Sequence, residues 1–197
     1  MLLYDSAVSG NAYKVRLLLG LLGTDYERIQ LSVVDRSNRE EVLGAKNPAL
    51  RIPVLELDDG TTLAESNAIL CYLAEGTRYM PTDALDRARV LQWMFFEQYD
   101  HEPNIAVARF LLHYAEAPDA ELVAAKQAGG GRALAAMERH LSEHEFLVGE
   151  SYSVADIALY GYTHVAEEAG LSLADYPGVA RWVARVAAQP GHVTIDS

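Results

Sequence analysis

The sequence predicts a mixed α/β first half followed by an all-helical second half. Three observations predict it. Short apolar runs of strand length, at residues 1–4, 26–31, 54–57 and 61–63, alternate with helical periods up to about residue 75. Strand signals then vanish after Asp83, and long helical patterns cover 84–114, 119–144, 153–169 and 176–188. Between the two regimes, residues 76–82 hold Gly, Thr and Pro with no period, the mark of a connection. The expected division is 1–76, a linker at 77–82, and 83–197.

Composition narrows the function. The chain has 197 residues, enough for one large or two small cores, and half of them are apolar. A net charge of −12 without a dense Lys/Arg cluster argues against nucleic acid or an anionic membrane as partner. The single cysteine, Cys71, allows no internal disulfide and suits a reducing, cytoplasmic compartment. Residues 1–5 carry no basic, signal-like start, and no run is long enough to span a membrane.

The elements follow in order. Residues 1–4 form the first strand, and a small polar loop leads through Ser9-Gly10-Asn11 into a helix. Val15, Leu18, Leu19 and Leu22 keep its period, and Gly23 ends it. The second strand lies at 26–31 and pairs parallel to the first, as a βαβ unit does. Residues 36–45 are polar and predict a short, mobile helix. Pro53 stands immediately before an apolar run, where a missing N–H is tolerated. Asp58-Asp59-Gly60 turns a tight hairpin, and a helix opens at Glu65-Ser66. The order is β-α-β-α-β-β-α. In the second half, Pro103 predicts a kink within 84–114. Gly129-Gly130-Gly131 predicts either a break or a very close helix contact. Ser153 and Asp156 have capping-box spacing, with Tyr152 and Ile157 placed as a hydrophobic staple.

One stretch offers two recognition elements for a small anionic, peptide-like ligand. A cis Ile52-Pro53 bond predicts that the backbone of Val54 turns out to pair with an extended peptide. The helix opening at Ser66 presents free N–H groups and a positive dipole end to a carboxylate. Asn47-Pro48, Ile52-Pro53-Val54 and Glu65-Ser66, in this order and spacing, resemble the glutathione-binding domain of the glutathione transferases. The resemblance extends over nearly the whole chain, through Ser153–Asp156 and Tyr176-Pro177 with Trp182 in the second half. It implies a thioredoxin-like first domain, an all-α second domain, glutathione as co-substrate, a small electrophilic second substrate and a homodimer. No metal or nucleotide is implied.

The resemblance also assigns roles. Ser9-Gly10-Asn11-Ala12-Tyr13-Lys14-Val15-Arg16 is similar to the branch in which a serine activates the thiol. A thiol titrates near pH 8.5, so little thiolate exists at neutral pH. A hydroxyl donating to the sulfur is worth about 1.5–3 kcal/mol, or roughly one to two pKa units. The helix N-terminus adds ~0.3–1 kcal/mol. Ser9 is the expected donor. Read from position alone it is an N-cap serine, Ser6 competes with it, and Asn11 assists or replaces it. Glu65 and Ser66 are expected on the γ-glutamyl end, Ile52, Pro53 and Val54 on the cysteinyl unit, and Arg39 and Arg51 on carboxylates. Tyr13 is expected at the site mouth. Tyr99, His101, Asn104 and Arg109 are expected along a wall for the second substrate. His140 and His144 have metal-compatible spacing, but a solvated helix face is the ordinary origin of such a pair. Glutathione-dependent isomerases and disulfide reductases share this pattern, although the doubled serine of the isomerase branch is absent here. Non-catalytic carriers and regulators share the fold as well.

Overall fold

A computed structural model describes residues 1–197. The chain divides into two compact units, Met1–Glu75 with Pro190–Ser197, and Gly76–Gln189.

The first unit is built on a four-stranded sheet. Strands β1 (Leu2–Asp5), β2 (Glu27–Gln30), β3 (Val54–Glu56) and β4 (Thr62–Ala64) lie in the order β2-β1-β3-β4. The β1–β2 pair is parallel, and β3 runs antiparallel to both neighbours. Strand alternation sorts the side chains onto two faces. Leu3 and Leu55, paired across the sheet, join Val15 and Leu19 of helix α1 (Gly10–Leu22) and Ile69 of helix α3 (Ser66–Ala74). Tyr4 and Val54, the next pair, face the other way onto Leu31 and Leu43 of helix α2 (Arg39–Leu43). The predicted β-α-β-α-β-β-α order is the one observed.

Residues 190–197, expected in the helical half, pack instead on the first unit. Polar side chains of α1 and β2 hold them. The Tyr13 hydroxyl donates to the Val193 carbonyl at 2.8 Å. Arg16, fully buried beside Asp5, donates to the carbonyls of Ile195, Ser197 and Ala7. Arg28 pairs with Asp5 at 2.6 Å and also reaches Ser197. The Ala7 bond also pins the loop that leads to Ser9.

The second unit is helical. Asp83 caps helix α4 (Ala84–Phe96), accepting from the Leu85 and Asp86 amides. Just before Pro103, where the sequence predicts a kink, a π-helical turn at Glu97–His101 joins α4 to helix α5 (Glu102–Tyr114). Pro103, just inside α5, has no N–H to give, and the wider turn carries the chain past it. Helix α6 (Ala120–Leu141) runs unbroken through its three glycines, which settles the alternative of break or contact. A Cβ on Gly129 would collide with the Asn104 amide of α5, and one on Gly130 would stand 2.6 Å from Leu171 Cδ1. Gly129→Ala is therefore expected to destabilise the protein by about 1–2 kcal/mol. Overpacking costs ~1–3 kcal/mol, against up to ~1 kcal/mol of helix propensity gained. Chemical denaturation reads this as a lower midpoint at unchanged slope.

Helix α7 (Val154–Thr163) opens at Ser153 as expected, and helix α8 (Pro177–Ala187) follows two short 3₁₀ turns. Asp156 is fully buried and accepts from the Ser153 amide and hydroxyl, the Leu147 amide and the Trp182 indole. It therefore ties the α7 start to the loop before it and to α8. The stretch 77–82, read from sequence as a linker, carries buried Tyr79 and Met80, and the Tyr79 carbonyl accepts from Val154 at 3.0 Å. Tyr79 also meets Tyr152 edge to face. The helix lengths reach 22 residues, yet no helix is long and apolar enough to cross a membrane.

Candidate functional site

Ser9 is the N-cap of α1. Its φ of −81° and ψ of 117° are extended, and its Oγ accepts the Ala12 amide at 3.3 Å. That contact uses an acceptor lone pair and leaves the hydroxyl proton as a donor. Helix and hydroxyl thus present positive ends at one place. Ser6 lies in the same loop, where its carbonyl accepts from the Ser9 amide. Tyr4, the other hydroxyl on β1, is committed elsewhere and donates to Glu56 at 2.8 Å. Burial and the Glu56 carboxylate push its phenol above the ordinary range.

Asn11 links α1 to α3. Its Oδ1 accepts from Lys14 Nζ at 2.7 Å and from the Ser66 hydroxyl at 3.4 Å. Ser66 is buried at the first position of α3. Glu65 before it is exposed and holds a φ of 68°, a left-handed conformation that side chains beyond glycine seldom adopt. Such a backbone costs ~1–3 kcal/mol, and residues of this kind gather at binding sites. It breaks the strand β4 sharply into α3 and leaves the first amides of the helix without intrahelical acceptors.

The Ile52-Pro53 bond is cis. The loop before it is organised by buried Asn47, which accepts from the Ala49 amide and donates to the Arg51 carbonyl. One expectation needs correction. Val54 does not turn its backbone outward, because it lies in register between Tyr4 of β1 and Ala64 of β4. A central strand spends its backbone groups on its neighbours. Ile52 and Pro53 precede the strand and stand outside the ladder.

Arg39 opens α2. It is buried, and its Nη2 donates to the Ser32 carbonyl at 2.5 Å. Its Nε and Nη1 are buried and meet no protein acceptor. Burial, with Arg36 nearby, pushes this guanidinium down from its ordinary value. Buried donors without acceptors are costly, and an anion reaching them would recover that cost. Arg51 is exposed.

The remaining expected residues are placed differently. Tyr13 is fully buried under Val193 and His192 and does not reach a site mouth. His101 is fully buried in the second unit, with Nε2 2.8 Å from Thr163 Oγ1. The Thr163 proton goes to the Leu159 carbonyl at 2.7 Å, so His101 donates and Thr163 accepts. Asn104 donates to the Asp100 carbonyl in the π-turn just before its helix, and Arg109 pairs with Glu168 at 2.6 Å. His101 and Arg109 thus tie this stretch to α7 and to the 3₁₀ turn at Ala166–Ala169, whereas the Asn104 bond is local. Only Tyr99 of the four is open to solvent, at 83 % exposure, beside Phe95 at 69 %. With Phe96, Gln98 and Asp100 they line an open groove of about 460 Å³. The His140 and His144 rings stack at 4.3 Å, and no group of three or more metal-ligating side chains is present.

Lys14 escapes a reading by periodicity, since a lysine on an apolar helix is usually assigned to its wet face. The available signal was spacing, because positions 11 and 14 share one face of α1.

Comparison with known proteins agrees with this geometry. Residues 3–78 match the glutathione S-transferase N-terminal domain, and residues 94–190 match the glutathione S-transferase C-terminal domain. A maleylacetoacetate isomerase of Pseudomonas aeruginosa is 31% identical, over 96% of this chain and 92% of that protein. The disulfide-bond oxidoreductase YfcG of Escherichia coli is 28% identical, over 93% and 89%. A crystal structure of a glutathione S-transferase from Pseudomonas fluorescens superposes with a TM-score of 0.94 at 49% identity, covering 98% of each chain.

Proposed function

Because the chain belongs to the glutathione S-transferase family, we propose that its first unit binds glutathione and that Ser9 stabilises the ligand's thiolate for attack on a small electrophile. The observation that carries this reading is the Ser9 hydroxyl. It caps α1 through a lone pair and keeps its proton to give, at the positive end of a helix. The thiol proton leaves to solvent, and the sulfur then attacks the electrophilic carbon and expels its leaving group. No general base is needed once the thiolate is abundant.

The rest of the tripeptide fits the same unit. The first turn of α3, with the Ser66 hydroxyl and amide, takes the γ-glutamyl carboxylate, and Glu65 approaches the amino group. Ile52, next to the cis bond, supplies the backbone pairing first expected of Val54. Arg39 takes the glycyl carboxylate through its two unsatisfied donors. Tyr99 remains the candidate for contact with the second substrate. A homodimer in the cytoplasm is the expected assembly.

A second reading uses the same thiolate differently. Resemblance to an isomerase and to a disulfide oxidoreductase favours either reversible addition to a conjugated double bond or exchange with a glutathione disulfide. Steady-state assays of the wild type with an activated aryl chloride, a cis-dienone acid and a mixed glutathione disulfide separate the three. Ser66→Ala is expected to weaken glutathione binding roughly tenfold, the loss of about 1.4 kcal/mol, with little change in thermal stability. Equal affinity in the variant and the wild type would remove Ser66 from the site.

A further inference from the structure

Lys14 lies one turn into α1 and is fully buried. Its ammonium stands 2.7 Å from Asn11 Oδ1 and 3.5 Å from Ser66 Oγ, and the Ser66 hydroxyl reaches the same Asn11 oxygen at 3.4 Å. An ammonium carries three donors and no acceptor. An asparagine can ordinarily exchange its oxygen and nitrogen by a half-turn at little cost. Here the exchange would set the amide N–H groups against N–H₃⁺. The carbonyl oxygen of Asn11 is therefore held toward the buried cation, and its NH₂ is turned the other way. Asn11 itself is only half-buried and sits two residues after the N-cap Ser9.

We infer that Lys14 is a positioning residue for thiolate formation: it fixes the Asn11 side-chain amide so that the NH₂ donates to the glutathione sulfur beside the Ser9 hydroxyl. The inference rests on the proposal that glutathione places its thiol at the start of α1. In the opposite orientation the Asn11 carbonyl oxygen would face the sulfur and oppose its charge. Nothing is transferred to Lys14 or Asn11, since the thiol proton goes to solvent and both side chains act through hydrogen bonds alone. The contact with Ser66 has a second consequence. The γ-glutamyl carboxylate subsite at α3 and the thiol subsite at α1 share one cation, so these two parts of the ligand are aligned through the same side chain.

The test is a pH titration of bound glutathione, from about pH 5 to about pH 9, read by thiolate absorbance in the wild type, Lys14→Met, Lys14→Arg, Asn11→Ala, Asn11→Asp and Lys14→Met/Asn11→Ala. Lys14→Met is expected to raise the apparent thiol pKa by roughly one unit, with partial recovery in Lys14→Arg. In the Asn11→Ala background the same change is expected to add less than ~0.3 unit, because Lys14 acts through Asn11. Asn11→Asp keeps an acceptor for Lys14 and replaces the NH₂ by oxygen, so it is expected to raise the pKa by ~1–2 units while the protein stays folded. A folded Lys14→Met that binds glutathione with the wild-type thiol pKa would overturn the inference. So would an equal shift in the Asn11→Ala background, which would make the cation act on the sulfur directly. If Lys14→Met does not fold, Asn11→Asp decides, and an unchanged pKa there overturns it. Absence of glutathione binding by the wild type would remove the proposed function together with this inference, whereas binding with unchanged variant titrations removes the inference alone.

Discussion

Ser9→Ala is expected to lower kcat/KM for glutathione conjugation by about 10–100-fold while leaving glutathione affinity within about threefold of the wild type. The size follows from one charge-assisted hydrogen bond, ~1.5–3 kcal/mol, that exists only when the sulfur is ionised. Affinity is expected to change little because, in the proposed binding mode, α3, Ile52 and Arg39 hold the rest of the ligand. Alanine also removes the cap contact to Ala12, at a stability cost of ~0.5–2 kcal/mol. Ser9→Asp separates the two effects. A carboxylate still caps α1 but offers no proton and repels a thiolate, so stability is expected to return while activity stays low. An active Ser9→Asp would make the serine a cap alone and move the chemistry to Asn11 or Ser6. Steady-state kinetics and thermal unfolding on the same preparations decide it.

Asp156→Ala is expected to have the largest effect on stability, a loss of about 3–5 kcal/mol. One buried carboxylate accepts from the Ser153 amide at 2.9 Å, the Ser153 hydroxyl at 3.1 Å, the Leu147 amide at 3.0 Å and the Trp182 indole at 2.9 Å. Alanine leaves these donors in a site closed to water, each at ~1–3 kcal/mol before relaxation. The loss falls within the second unit, where the start of α7, the preceding loop and α8 meet. Asp156→Asn restores two acceptor positions at most and is expected to recover only part of the loss. Urea unfolding gives both values. A change under ~1 kcal/mol in Asp156→Ala would mean that the four donors find other partners.

Local features were legible where their causes are local. Strand and helix order follow from periodicity, the α7 cap from the Ser153–Asp156 spacing, and the Ser9 cap from a small polar residue before an apolar helix. What escaped depends on partners distant in sequence. Val54 reads as an outward-facing residue until its register between Tyr4 and Ala64 shows that β3 is central. His101 and Arg109 read as pocket residues because they interrupt an apolar helix, yet Thr163 and Glu168, about sixty positions on, take them. Residues 190–197 join the first unit through Tyr13, Arg16 and Arg28, nearly the whole chain away. Pro103 is a strong local signal of an irregularity, but that it takes the form of a π-turn at Glu97–His101 is not legible from the proline alone. Of the candidate site, Ser9, Pro53, Glu65 and Ser66 are visible as a spaced set. Lys14 is not, since its burial depends on α3 packing against α1.

Thiol activation at Ser9 is tested most directly by calorimetric titration of glutathione into the wild-type protein near neutral pH, with thiolate absorbance followed on the same samples. Saturable binding at one site per chain is expected, with a thiolate signal well above that of free glutathione. Saturable binding without that signal would contradict thiol activation by Ser9, and no heat of binding at all would contradict the glutathione site itself.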